Sequence, residues 1–181
     1  FAVIVSRAMG LHDPRSYGSG NPGATNVLRS GSKKAAAVTL LLDALKGFVP
    51  VLLVKVFGPQ YGLHEGTLAL VAIAAFLGHL FPVFFQFKGG KGVATALGVL
   101  LGISGWLGLF VLLTWLAVAL TTRYSSLAAL IASIAAPVYY VLFGNSLWAA
   151  EKPLLAAVIA MSALLLWRHA QNISRLVKGE E

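Results

Sequence analysis

The chain has 181 residues, of which 58% are hydrophobic and 11% charged, with a mean hydropathy of +0.82, a balance that excludes an ordinary soluble domain. Fourteen Lys and Arg against six Asp and Glu leave a net charge of +8. In so apolar a chain that excess points to membrane topology and anionic, lipid-like substrates rather than to nucleic acid, for which there is no basic-aromatic patch. The absence of cysteine excludes disulfides, thiolate metal sites and a cysteine acyl-enzyme.

The chain opens with an apolar run that meets Arg7 after six residues, too few for a span of about 20. It is read as the tail of a first, truncated helix; no basic n-region or cleavage pattern marks a signal peptide. Residues 11–34 are polar and rich in glycine, serine and asparagine. A second span is expected over 35–57, apolar except for Asp43 and Lys46 and closed by Gly58-Pro59. A third covers 67–87, with His79 near its end and Pro82 expected to kink or stop it.

Residues 93–121 are too many for one ordinary span and few for two. The positive-inside rule decides: two crossings, broken near Ser104-Gly105, gather Arg15, Arg29, Lys33, Lys34, Lys88, Lys91, Arg123, Arg168, Arg175 and Lys178 on one side. Further spans follow over 127–143, interrupted by Pro137, and over 153–167; an amphipathic tail, with Ile173, Leu176 and Val177 on one stripe, ends the chain. The whole is one all-α domain, 1–181: a polytopic transmembrane bundle of about seven segments with short helices around a cytoplasmic-face site, since a lipid-embedded backbone must bond to itself.

Four polar clusters share that face. In 18–29, small residues free backbone N–H groups, and Ser19, Asn26 and Arg29 add donors for a phosphate or polar head. In Lys88-Gly89-Gly90-Lys91-Gly92, the glycines let successive N–H groups turn toward one anion, the helix expected from Val93 presents its positive end, and two lysines supply full charge. On its own this loop reads equally well as a topological positive-inside loop. The third cluster is 123–126, with Ser126, and the fourth is His169 and Asn172, three apart on one helical face, continuing to Glu181. His79 and His169 are candidate bases or orienters of a hydroxyl. Asp43 and Lys46 form either an intramembrane functional pair or a self-neutralising one. No P-loop, GxSxG or HExxH motif occurs, and two aspartates cannot build a multi-aspartate metal site, so neither metal nor cofactor is expected. A transporter of organic phosphates is the competing class, opposed by polar clusters that collect at one face instead of lining a path across the midplane.

Four stretches, GSGNPGATNVLR at 18–29, GHLFPVFFQFKGGKGVATALG at 78–98, RYSSLAAL at 123–130 and RHAQNISRL at 168–176, resemble in order the bacterial acyl-phosphate:glycerol-3-phosphate acyltransferase family. The resemblance implies an inner-membrane, multi-pass enzyme that moves a fatty acyl group from acyl phosphate to the 1-hydroxyl of glycerol 3-phosphate, giving lysophosphatidate. It makes Ser19 and Arg29 an essential pair, the 88–92 loop with Lys91 the glycerol-phosphate site, Ser126 a phosphate contact, and His169, Asn172 and Glu181 the third motif. Acyl phosphate, glycerol 3-phosphate and membrane lipid are then the partners, with a soluble acyl-phosphate-forming enzyme as supplier and no nucleic acid.

Overall fold

The computed structural model describes residues 1–180. They form helices α1 (Ala2–Ala8), α2 (Ala24–Leu28), α3 (Lys33–Phe57), α4 (Glu65–Leu80), α5 (Val93–Ile103), α6 (Gly105–Thr122), α7 (Ser125–Leu142), α8 (Lys152–Arg168) and α9 (Ala170–Lys178), with 3-10 turns at Gly58–Tyr61 and Val83–Phe85. α3, α6, α7, and α4 taken together with the 3-10 turn after it (Glu65–Phe85), are each long and apolar enough to cross a membrane, and α8 with α9, bent by 57°, makes a fifth candidate. The protein is a multi-pass membrane protein. Leu41, Leu53, Leu70, Leu120 and Leu142 face outward, where lipid takes the place of water as solvent.

The helix ends follow local chemistry. Ser32 starts α3 by accepting the Ala35 N–H on its hydroxyl at 3.2 Å. Ser104, in an extended conformation, separates α5 from α6 and is the N-cap of α6. This is the break expected within 93–121. Arg123, left-handed at φ 64°, makes the next reversal. The third segment stops short of the expected Phe87, because Pro82 lacks an N–H and disfavours a helical Phe81. The chain then turns back through Gln86 and Phe87, both left-handed, until the Gly89 N–H donates to the Leu80 carbonyl at 3.2 Å.

Pro137, by contrast, does not interrupt α7. It removes the N–H that would serve the Ser133 carbonyl, and the Ser162 hydroxyl of α8 donates to that carbonyl instead, at 2.7 Å. Ser162→Ala is therefore expected to lower stability by about 1 kcal/mol, the cost of one orphaned carbonyl, read as a lower thermal midpoint in detergent.

α5 lies beside α3 and runs in the same direction. The Asp43 carbonyl meets Thr95 at 2.9 Å, and the Lys55 ammonium donates to the Ile103 carbonyl at 2.6 Å. Gly98 and Gly47 permit the approach, since a Cβ on either would run into the Ala44 or Thr95 carbonyl. Asp43 is ten residues into α3, so α5 begins about 15 Å along the bundle from the Lys33-Lys34 pair. The glycine-lysine loop is thus sunk into the bundle.

Candidate active site

A cavity of about 830 Å³ opens between the start of α5, the start of α7, the α8–α9 bend and the 18–29 loop. Its mouth is polar and cationic, lined by Ser19, Arg29, Lys91, Arg123, His169 and Asn172; its inner arm is apolar, lined by Leu100, Val111, Leu112, Ala132, Val158 and Met161. Such a space takes an anionic head at one end and an alkyl chain at the other.

The 18–29 loop is braced from within. Asn26, almost fully buried, accepts the Ser19 N–H at 3.0 Å and donates to the carbonyls of Pro14 and Tyr17 at 2.5 and 3.1 Å. Its amide is thereby engaged in shaping the loop. Left-handed Gly18 packs so closely on Asn26 that a side chain would displace it. Ser19 and Arg29 are left exposed at the cavity rim. Nearby, the Arg15 guanidinium binds Asp13 and holds its carboxyl down to about 2, so this pair stays charged at neutral pH.

The glycine-lysine loop divides. Lys91 and Gly92 line the cavity, whereas Lys88, Gly89 and Gly90 line a separate, smaller crevice beside the α4 end. The Lys91 ammonium donates to the Asn172 carboxamide, tying the loop to α9 across the sequence. The Arg168 guanidinium donates to the Gly89 and Gly90 carbonyls at 2.9 and 3.2 Å, holding the turn from the end of α8. Ser126 is 6% exposed and lies at the cavity wall, and its buried hydroxyl has no hydrogen-bond partner among the described residues.

Both candidate bases are buried at the cavity. His169 Nδ1 lies 2.8 Å from the Leu165 carbonyl; a carbonyl only accepts, so that nitrogen carries the proton and Nε2 is the basic one. His79 Nδ1 lies 2.9 Å from the Thr95 hydroxyl and 3.6 Å from the Asp43 carboxylate. Asp43 also binds Lys46 at 2.5 Å, the local pair expected from the sequence, but its contact with His79 and its place at the cavity wall were not expected. Thr95 and the backbone-holding role of Arg168 were likewise missed. Glu181 lies outside the described residues. Among those residues there is no group of acidic, histidine or cysteine side chains able to hold a metal.

The family model described as glycerol-3-phosphate acyltransferase matches residues 1–179. The chain belongs to the glycerol-3-phosphate acyltransferase family. Its similarity to other acyltransferases of this family runs the full length. It is 65% identical over 181 residues to the glycerol-3-phosphate acyltransferase of Albidiferax ferrireducens, covering 100% of this chain and 81% of that one. Against the enzyme of Janthinobacterium sp. (strain Marseille) it is 65% identical over 182 residues, covering 100% and 88%. The crystal structure of PlsY (YgiH), an integral membrane glycerol 3-phosphate acyltransferase, in its glycerol 3-phosphate form superposes with a TM-score of 0.90 at 43% identity, covering 100% of this chain and 86% of that one. The lysophosphatidic acid form gives 0.88 at 42%. The acyltransferase family thus accounts for the helical architecture and for the four sequence stretches that converge on one cavity.

Proposed function

We propose that this chain is an acyltransferase that moves a fatty acyl group from acyl phosphate to the 1-hydroxyl of glycerol 3-phosphate, releasing lysophosphatidate and inorganic phosphate. The observation that carries the reading is the two-part cavity, a cationic mouth joined to an apolar arm. It suits a substrate pair of two phosphates and one alkyl chain, and the relatives' shared activity supports the same assignment.

Acyl phosphate is a mixed anhydride with a good leaving group, so the protein's task is to bring two anions together and take one proton. Arg29, Lys91, the Gly92 backbone and Ser126 hold phosphate oxygens, and Ser19 and Asn172 orient them. The hydroxyl oxygen attacks the acyl carbon, the bond from that carbon to the phosphate oxygen breaks, and the hydroxyl proton passes to His169 Nε2. The acyl group goes directly between substrates, because no Ser-His-Asp set is assembled among the described residues to form an acyl-enzyme. The cationic residues at the mouth belong on the cytoplasmic side of a bacterial inner membrane by the positive-inside rule, so a soluble acyl-phosphate-forming enzyme can deliver the donor there.

Purified protein supplied with acyl phosphate and glycerol 3-phosphate should form lysophosphatidate, with acyl-CoA failing as donor. Formation from acyl-CoA alone would sink the reading. His169→Ala is expected to lower kcat about 10²- to 10⁴-fold, the usual worth of a general base. A kcat held within a few-fold would transfer the proton-accepting role to the substrate's own phosphate.

A further inference from the structure

His79 is almost fully buried and closes the wall between the main cavity and the smaller crevice. Its ring is seated from one side and loaded from the other. On the seated side, the Thr95 hydroxyl donates its only proton to the Asp43 carbonyl at 2.9 Å, because a carbonyl cannot donate. The Thr95 oxygen therefore accepts from His79 Nδ1–H at 2.9 Å, and the Asp43 carboxylate at 3.6 Å favours the proton on that nitrogen. On the loaded side, Nε2 and Cε1 press against Gly90, where any Cβ would overlap Nε2. Gly90 is one residue from Lys91, and the same turn is clamped from across by Arg168.

We propose that His79, seated on Thr95 and Asp43, is a positioning residue that sets the Gly90-Lys91 turn at the height where Lys91 meets the glycerol phosphate. The inference rests on the reading of the cavity as a glycerol 3-phosphate site. It differs from a role for His79 as the base: Nε2 is packed on a glycine backbone, and the ring connects α3 and α5 to the loop instead of projecting freely at the mouth. Helix register is thereby converted into loop height, with imidazole as the spacer.

The test uses the full chain, purified in detergent, with acyl phosphate and glycerol 3-phosphate. Thr95→Val keeps the volume and removes the seat. It should raise KM for glycerol 3-phosphate about 10-fold, the effect of one lost buried hydrogen bond, with kcat within about threefold and KM for acyl phosphate unchanged. Thr95→Ser should return KM to near wild type. His79→Asn, which keeps a donor near the Nδ1 position and deletes the part of the ring that supports Gly90, should show the same KM increase and settles the matter should Thr95→Val fail to fold. Wild-type KM in these variants overturns the proposal, as does a large fall in kcat at constant KM in His79→Asn, which would put the imidazole in the chemistry. A wild-type protein that makes no lysophosphatidate would instead remove the underlying reading of the site.

Discussion

A protein carrying Lys91→Met is expected to need about 10- to 100-fold more glycerol 3-phosphate for half-maximal rate, the range for losing one charge-assisted hydrogen bond to a phosphate. The ammonium is at the cavity mouth beside the start of α5, where the backbone N–H groups and its charge would act together on the phosphate proposed there. Methionine retains the stem and the packing while removing the charge. Lys88→Met is the matched control: that side chain is exposed on the separate crevice, so its KM should stay within about twofold of wild type. Equal increases in the two variants would mean that the loop acts through net charge alone.

Gly98→Leu is expected to be the most damaging single change to the fold. The new side chain would be driven into the Ala44 carbonyl and the backbone at Phe48, across the α3–α5 contact. Overpacking of this kind costs about 1–3 kcal/mol where the surroundings yield, and here the neighbour is helix backbone, which yields poorly. The thermal midpoint in detergent should fall clearly. Gly78→Ala, in α4 with no atom beyond its chain neighbours and its own helix backbone within 4 Å of its added methyl, should leave it unchanged or raise it. Since Asp43 and Thr95 face one another across the same α3–α5 contact, a partly tolerated change at Gly98 should also weaken glycerol 3-phosphate binding.

Much of the architecture was legible from hydropathy and charge. The break at Ser104 follows from where the basic residues must fall, a global constraint that survives ignorance of packing. The convergence of 18–29, Lys91, Ser126 and His169 followed from topology and from the resemblance of the motif stretches. What escaped depends on contacts far apart in sequence. Asp43 was paired with its helix neighbour Lys46, since helical spacing reveals i,i+3 partners but cannot show His79 on another helix. Lys88 and Lys91 were treated as one loop, because the contacts that hold Gly89 and Gly90 between them, to Leu80 and Arg168, come from other parts of the chain. Pro137 was read as an interruption, because the hydroxyl that relieves it comes from α8. The short helix α2 was hidden inside a glycine-rich loop whose order depends on one buried asparagine, Asn26.

The brevity of α5 has an electrical meaning. Its 11 residues span about 16 Å, roughly half of a hydrocarbon core about 30 Å thick. The cationic mouth of the cavity therefore lies at a depth at which an open path would make a pore. Beyond that depth Val51, Val99, Ile103 and Leu107, each no more than 5% exposed, form a dry plug, and Lys55 caps the outer end of α5. A transmembrane voltage would fall mainly across this plug, leaving the mouth close to the potential of the compartment onto which it opens. The half-length helix lets the protein handle charge inside a membrane while remaining an insulator.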